Sequence, residues 1–217
     1  MPFDHVANTP LTGIRDNYLS IVTGLSGLFG GTGSAVLLGE GLAVTNAHVA
    51  RASRRLNAFA RSGRMLAAEV VAQSDVLDLA LLRLEGVKGN PWPVAEASVS
   101  EPVWAMGTTS GQLAPTASGR IERTHAWAHA DGRLQSGLMF TAPAGPGYSG
   151  GPVVNREGAL VGIVEGVFTE FFDTLSQIRY RGQTVLFAYH ARDVLNEARR
   201  LLARAGIDKP PRADPAA

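Results

Sequence analysis

Short apolar runs separated by turn residues constrain the fold of this sequence more than any other feature. Each run is about four to eight residues long, and most are bounded by glycine, proline, asparagine or serine, which is typical of strands joined by tight turns. Many runs of this kind predict an all-β sandwich or barrel. The predicted strands are Leu19–Leu25, Gly33–Leu38, Leu42–Thr45, Leu66–Ala72, Leu79–Leu84, Val103–Met106, Gly119–Arg123, Leu138–Thr141, Val153–Asn155, Leu160–Val167 and Thr184–Tyr189.

The C-terminal part departs from this pattern. Apolar residues between Val194 and Ala205 recur with helical spacing, Gly206 suits the position just past a helix, and Pro210 prevents its continuation. We expect one amphipathic α-helix packed on the second half of the chain, followed by a disordered tail over 208–217.

A segment without periodicity, residues 86–101 (GVKGNPWPVAEASVSE), divides the apolar runs into two groups. A chain of 217 residues can form two small barrels that share a site. We predict an N-terminal barrel over 1–97 and a C-terminal barrel with the helix over 98–207.

The amino-acid composition excludes several kinds of chemistry and partner. The absence of cysteine excludes disulfides, thiolate nucleophiles and cysteine-ligated metals. A net charge of +1 gives no reason to expect nucleic acid, and the arginines between 51 and 64 predict a solvated loop or strand edge. No apolar run reaches the ~18 residues of a membrane span. Without a convincing signal peptide, the cytoplasm is the favoured location and the periplasm the alternative.

The segment APAGPGYSGGPVVN, residues 142–155, places Ser149 among Gly147, Gly150 and Gly151 between two predicted strands. A nucleophilic hydroxyl needs a tight turn with backbone N–H groups beside it for the developing oxyanion, and glycines allow that geometry. An ordinary glycine-rich hairpin explains this segment equally well when it is considered alone.

Two further residues favour a catalytic turn over an ordinary hairpin. His48 follows the predicted strand Leu42–Thr45, and Asp78 stands at the head of the apolar strand in SDVLDLALLRL. Each has a structural explanation, a strand-end histidine and a turn aspartate, and Asp75 is a nearby competitor. Together with Ser149, in the order His, Asp, Ser, they predict a site in the cleft between two packed units.

The sequence resembles the trypsin-like (chymotrypsin-fold) serine peptidases, and among them the bacterial HtrA/Deg-like branch. The resemblance rests on motifs in family order: GTGSAVLLGEGLAVTNAHV (31–49), DLALLRL (78–84), EPVWAMGTTSGQLAPTASGRIER (101–123), GPGYSGGPVVNREGALVGIV (145–164) and VLFAYHARDV (185–194). It implies two antiparallel six-stranded β-barrels with the active site between them.

The resemblance also implies a mechanism and a partner class. His48 is the general base for Ser149, Asp78 orients the imidazole, and the N–H groups of Gly147 and Ser149 form the oxyanion hole. The expected partner is a protein or peptide substrate, with no cofactor and no metal. Residues 1–17 are a candidate segment for homo-oligomerisation.

Three departures from the family stand out. Tyr148 replaces the usual Asn or Asp before the nucleophile, so activation by a new N-terminal amine has no acid to pair with. Its ring must be packed or its hydroxyl hydrogen-bonded. Glu165 stands where relatives place Ser or Thr near the aspartate, and we expect its side chain to point away, because like charges repel. The sequence ends soon after the helix, so we expect no PDZ module.

The resemblance also implies which residues line the substrate pocket. Its expected lining is Pro143, Ala144, Glu165, Gly166 and Val167. Pro143 lies where a preference for Arg or Lys would require an acid, and Val167 makes the pocket shallow. We expect cleavage after small or medium aliphatic residues. His190 is expected to cap the helix or lie at the surface.

Two alternatives keep the fold but change the role. Tyr148 and Glu165 are compatible with a pseudoprotease that acts as a protein-binding regulatory module. The missing PDZ module is compatible with an effector protease of a bacterial defence or signalling system. Labelling by a fluorophosphonate probe separates the first alternative from an active hydrolase.

Overall fold

The computed structural model describes residues 15–22, 31–39, 41–51, 55–90, 92–108, 116–130, 132–167 and 184–207. A 3-10 turn, Arg15–Asn17, precedes the first strand. The elements that follow are β1 (Tyr18–Val22), β2 (Thr32–Gly39), β3 (Leu42–Thr45), α1 (Ala47–Ala50), β4 (Arg55–Ala60), β5 (Met65–Gln73), β6 (Ala80–Leu84), β7 (Pro102–Met106), β8 (Thr116–Ala130), β9 (Arg133–Ala142), β10 (Pro152–Val154), β11 (Leu160–Val167), β12 (Thr184–His190) and α2 (Ala191–Arg204).

The strands form two closed antiparallel barrels of six strands each. The first barrel has the order β1-β2-β3-β6-β5-β4, and the second has the order β10-β11-β12-β9-β8-β7. The predicted double-barrel fold with one C-terminal helix is therefore confirmed. The connection from β6 to β7 contains position 97, and the domain boundary placed there stays a prediction.

Both faces of several strands are apolar because each face packs against other apolar residues. In β1 and β2, Leu19, Ile21 and Ala35 point into the first barrel. Their neighbours Tyr18 and Val36 belong instead to a cluster shared with the second barrel and α2. Side chains alternate across a strand, so one face fills the barrel and the other forms the interface. The cleft between the barrels is thus bordered by a continuous core.

Three strands differ most from the sequence-based expectation, and one of them, β9, is ten residues long and not limited to Leu138–Thr141. Strand β4 lies in the arginine-containing stretch, where the alternation of buried Leu56 and Ala58 with more exposed residues is the strand signal. Strand β8 is fifteen residues long and not limited to Gly119–Arg123, because its outer half pairs with β9 in a long hairpin.

The C-terminal helix is confirmed and packs on the second barrel. Its apolar stripe, Val194, Leu195, Ala198, Leu201 and Leu202, is buried in the interface cluster. Within the ranges described above, neither helix has the length and apolar character needed to cross a membrane. The predicted tail over 208–217 lies outside the described residues, as does most of 1–17.

Candidate active site

His48 and Asp78 are joined by two hydrogen bonds. His48 lies in the short helix α1, and its backbone N–H donates to Asp78 Oδ1 at 2.9 Å. Its imidazole Nδ1 lies 2.5 Å from Asp78 Oδ2. Because an ionised carboxylate only accepts hydrogen bonds, Nδ1 carries the proton and Nε2 of the neutral ring is left as an acceptor. Asp78 thereby selects the tautomer that a general base requires.

The rest of Asp78 is held as firmly as its carboxylate. Its carbonyl oxygen accepts hydrogen bonds from the Ala47 N–H at 3.2 Å and from Asn46 Nδ2 at 3.0 Å. Its own N–H donates to the Tyr189 hydroxyl, on strand β12 of the second barrel, at 3.2 Å. The Asp78 side chain is 1% exposed, whereas that of His48 is 39% exposed. The pair therefore has a buried acid and a base with an edge open to solvent.

The turn that carries Ser149 contacts both barrels. The Ser149 carbonyl accepts a hydrogen bond from the Ser34 N–H at 2.8 Å. A Cβ placed on Gly150 would lie 2.1 Å from the Ser34 carbonyl oxygen and 2.6 Å from the hydroxyl of Thr45, three residues before His48. On the other side, the Gly150 N–H donates to the Val164 carbonyl at 2.8 Å. Ser149 is thus positioned beside the end of β3 and beside β11.

Two backbone donors in this turn lack an acceptor. Pro146 and Gly147 are the central residues of a turn closed by the Tyr148 N–H and the Gly145 carbonyl at 3.2 Å, and Gly147 has φ +94°. This geometry matches a type II turn, which requires a positive φ at its third position. Within the described ranges, neither the Gly147 N–H nor the Ser149 N–H has a hydrogen-bond acceptor. Such unpaired donors are what an oxyanion hole requires.

Tyr148 is packed into the second barrel, as expected. The side chain belongs to that barrel's core, and the residue is 3% exposed. A Cβ on Gly107 would lie 2.3 Å from Tyr148 Cγ, so the ring lies against the backbone there. Burial raises the pKa of the phenol. Tyr148 is therefore neutral at ordinary pH and brings no charge to the turn.

Glu165 differs from the expectation that its side chain points away. A carboxylate oxygen of Glu165, a ring nitrogen of His48 and a carboxylate oxygen of Asp78 all lie within 4.8 Å of one another. Glu165 occupies an irregularity in the pairing of β11 with β12, between Val164 and Gly166. The irregular register turns its side chain toward the imidazole. A second carboxylate therefore stands beside the base.

These charges set the protonation of His48. The hydrogen bond to Asp78 is the main cause that raises the pKa of His48, and burial opposes it. The negative charges of Asp78 and Glu165 raise it further, whereas Arg51 lowers it. The base is therefore stronger than an ordinary histidine.

The same three side chains are the candidate ligands for a metal ion in the described part of the chain. However, His48 Nδ1 and Asp78 Oδ2 are 2.5 Å apart and share a proton. Two ligands of a tetrahedral zinc ion would stand about 3.3 Å apart and would both be deprotonated. Nδ1 and Oδ2 are therefore arranged for acid–base chemistry and not for joint ligation of a metal ion.

The predicted pocket residues lie on both sides of the Ser149 turn. Pro143 is exposed and Ala144 is buried where β9 ends, and Val167 ends β11 with 47% exposure. Nothing lies within 4 Å of a Cβ placed on Gly166, so the backbone there is open. Residues 168–183, which follow Val167 directly, are outside the described ranges, and the shallow pocket stays a prediction. His190 occupies the N-cap position of α2, but its side chain makes no capping hydrogen bond.

Several polar residues near the site have no signature in the sequence. Asn46 and Tyr189 hold the main chain of Asp78. Ser34 Oγ and the Thr108 N–H both donate to the Gly147 carbonyl, at 2.7 and 3.0 Å. The glycine-serine motif GTGS contains Ser34, but nothing in its spacing indicates a partner so far along the chain.

Comparison with known proteins agrees with this geometry. Residues 31–163 match the family model described as "Trypsin-like peptidase domain". The chain is 30% identical over 184 residues to "Serine protease Do-like HtrA" of Lactococcus lactis subsp. lactis (strain IL1403), covering 79% of this chain and 44% of that protein. It is 31% identical over 161 residues to "Serine protease HTRA2, mitochondrial" of Bos taurus, covering 68% of this chain and 35% of the relative. The chain thus spans less than half the length of these relatives.

Solved structures show the same fold at lower identity. The active form of the Rv3671c protease from M. tuberculosis matches with a TM-score of 0.71 and 20% identity, covering 93% of this chain and 86% of that chain. The HtrA-type protease AlgW with tripeptide matches with a TM-score of 0.68 and 21% identity, covering 92% and 62%. An inactive form of Rv3671c matches with a TM-score of 0.70, 19% identity and coverage of 91% and 92%. Overall fold similarity therefore does not distinguish an active from an inactive state.

Proposed function

Since this chain belongs to the trypsin-like peptidase domain family, we propose that it is a serine endopeptidase with Ser149 as nucleophile, His48 as general base and Asp78 as the group that orients the base. The hydrogen bond between His48 Nδ1 and Asp78 Oδ2 carries the proposal, because it directs the acceptor nitrogen of the imidazole away from the carboxylate. The names of the relatives, which are serine proteases, point to the same activity.

The proposed reaction has two steps. His48 Nε2 takes the proton of Ser149 Oγ as the hydroxyl attacks the peptide carbonyl, and the resulting imidazolium then protonates the leaving amine. Water hydrolyses the acyl-enzyme with His48 again acting as base. Within the described ranges no hydrogen bond joins Ser149 Oγ to His48, and catalytic contacts of this kind often tighten only when substrate binds.

The oxyanion is proposed to bind between the N–H groups of Gly147 and Ser149. Their lack of acceptors in the described part of the chain supports this role, because preorganised donors need no reorganisation during the reaction. Loss of one such donor typically costs about 10²–10³-fold in kcat. The open turn thus supports an active enzyme over a pseudoprotease.

The proposed substrate is a protein or peptide with a small or medium aliphatic residue before the scissile bond. Pro143 and Ala144 bring no negative charge to the pocket, the Glu165 carboxylate lies beside His48, and Val167 is expected to narrow the mouth of the pocket. A peptide-library digest tests the specificity, since dominant cleavage after Lys, Arg or Glu would contradict it.

Activity itself is tested with a fluorophosphonate probe and intact-mass analysis. The wild-type chain is expected to gain one adduct, and Ser149→Ala and His48→Ala are expected to gain none. Ser118→Ala, which removes an exposed hydroxyl of β8, is the matched control and should label like the wild type. A folded wild-type chain that neither labels nor cleaves any library peptide would instead indicate a binding module.

A further inference from the structure

Four buried hydroxyl groups form a cluster that connects the two barrels. Tyr18 and Ser20 lie on β1, Ser34 lies on β2, and Thr108 follows β7 of the second barrel. Tyr18 Oη is 2.6 Å from Thr108 Oγ1 and 3.0 Å from Ser34 Oγ, and Thr108 Oγ1 donates to Ser20 Oγ at 2.7 Å. We call these four residues the hydroxyl cluster.

The number of hydroxyl protons determines which group donates in each hydrogen bond of the hydroxyl cluster. A hydroxyl has one proton to donate. Thr108 donates its proton to Ser20, so Tyr18 is the donor in the short contact with Thr108. Burial raises the pKa of Tyr18 to about 12, so the phenol keeps that proton. Ser34 donates its proton to the carbonyl oxygen of Gly147 at 2.7 Å. With both protons used, the 3.0 Å approach of Tyr18 Oη to Ser34 Oγ carries no hydrogen bond, and Tyr18 reaches the turn through Thr108, whose N–H also donates to the Gly147 carbonyl.

The Gly147 carbonyl accepts two hydrogen bonds, one from Ser34 Oγ and one from the Thr108 N–H at 3.0 Å. These donors come from different barrels, and Tyr18 contacts the side chains of both residues. Glycine readily adopts either sign of φ, so this residue does not hold its own conformation. Two donors on its carbonyl hold the Gly147–Tyr148 peptide plane, which lies between the planes that carry the Gly147 N–H and the Ser149 N–H.

The residue next to Gly147 does not supply an ionic anchor for the turn. Tyr148 is neutral, and it packs into the apolar core of the second barrel. The turn is instead held through neutral hydrogen bonds that cross the interface between the barrels. The Ser34 N–H adds to this connection by donating to the Ser149 carbonyl at 2.8 Å.

We propose that the Ser34 hydroxyl is a positioning group that, together with the N–H of Thr108, a residue held by Tyr18, anchors the Gly147 carbonyl and so keeps the oxyanion donors directed into the cleft. The proposal rests on the endopeptidase function proposed above. It also makes the oxyanion turn dependent on the first barrel, because the anchoring hydroxyl belongs to β2. Displacement of β1 and β2 would release the turn without any change in the catalytic side chains.

The test compares two deletions of a buried serine hydroxyl. Ser34→Ala removes the anchor but keeps the N–H that donates to the Ser149 carbonyl and the carbonyl that accepts from Thr45 Oγ1. Ser20→Ala removes an equally buried hydroxyl of the same cluster that does not contact the turn. We expect kcat to fall about 10- to 100-fold in Ser34→Ala, with KM unchanged. This loss is smaller than the one caused by deleting an oxyanion donor itself, because the donors remain and only their positioning is weakened. Ser20→Ala should lose less than about threefold.

A second readout separates positioning from general damage. A peptide aldehyde forms a reversible adduct whose oxygen lies between the oxyanion donors, so its affinity should weaken by the same factor as kcat. The pH at half-maximal kcat should stay that of the wild type, because His48 and its partners are untouched. Tyr18→Phe leaves Ser34 in place but removes the hydrogen bond that holds Thr108, the second donor to the Gly147 carbonyl, and should show a smaller loss of the same kind.

The outcomes are distinguishable. Equal losses of kcat in Ser34→Ala and Ser20→Ala, or a rise in KM alone, would overturn the anchoring role while leaving the endopeptidase intact. A wild-type chain without labelling or cleavage would instead overturn the proposed function. If Ser34→Ala fails to fold, Tyr18→Phe decides, since wild-type kcat and aldehyde affinity in that variant would contradict the proposal.

Discussion

The carboxylate of Asp78 accepts two hydrogen bonds from a single residue, His48. One comes from the backbone N–H at 2.9 Å, and the other joins the imidazole Nδ1 to the second carboxylate oxygen at 2.5 Å. The double contact fixes both the position of helix α1 and the orientation of the ring within it. A base held at two points presents Nε2 in one direction.

Asp78→Asn tests this orientation. An amide can accept at only one oxygen, and its NH₂ group would face Nδ1 or the backbone N–H, which favours the wrong tautomer. We expect kcat to fall by about 10⁴-fold, as for the equivalent change in the serine-protease template. Steady-state kinetics on a library-derived peptide measures it. Asp16→Asn, an exposed aspartate before β1, should behave like the wild type, and a loss below tenfold in Asp78→Asn would contradict the role of Asp78.

Glu165→Gln should shift the pH profile to lower pH. The Asp78 hydrogen bond is the main cause of the raised pKa of His48, and the charge of Glu165 contributes to it. Removing that charge destabilises the imidazolium, so the pKa falls and the neutral base is present at lower pH. Arg51→Ala removes a charge that lowers the same pKa, so its profile should move the opposite way. Profiles of kcat against pH that move in the same direction for both variants would refute this account.

Gly150→Ala should abolish activity because of a steric clash between the barrels. Its Cβ would lie 2.1 Å from the Ser34 carbonyl oxygen, in addition to the strain of φ +84°. Gly132→Ala is the matched control, with φ +73° and nothing within 4 Å, and should cost about 1–2 kcal/mol of unfolding free energy. Urea unfolding and fluorophosphonate labelling measure both effects. Normal labelling in Gly150→Ala would mean that the barrels do not approach each other there.

Glu197→Ala should destabilise the loop that precedes Asp78. Glu197 is buried on α2, where it accepts hydrogen bonds from Ser74 and from Arg200, whose Nε and Nη2 lie at 2.7 and 2.6 Å. Loss of the carboxylate leaves the Ser74 hydroxyl without its acceptor and Arg200 with only Asp75 as a carboxylate partner, and we expect about 1–3 kcal/mol less unfolding free energy. Asp75→Ala removes an exposed partner of Arg200 and Arg204 and should cost much less in urea unfolding, because surface ion pairs contribute little. Equal losses would argue against the buried interaction.

Local patterns in the sequence predicted most of the fold. The run from Leu160 to Val167 is a strand with the predicted bounds, and α2 (Ala191–Arg204) contains the predicted apolar stripe and ends two residues before Gly206. Strand β4 was not predicted because arginines surround Leu56 and Ala58. The charged residues indicated a solvated segment, and the alternation of buried and exposed residues was too short to indicate a strand. The direction of Glu165 was wrong because it depends on an irregular strand pairing, which local spacing does not encode.

The sequence by itself determined the types of residues that carry the chemistry, since a nucleophile, a base and an acid lie in short motifs at strand ends and turns, where local backbone preferences act. Only the tertiary structure decided which polar groups meet. Ser34 and Gly147 are 113 residues apart along the chain, and Tyr18 and Thr108 are 90 apart. Contacts at such separations depend on how two closed barrels pack, and packing is set by the joint shape of many side chains rather than by any one segment.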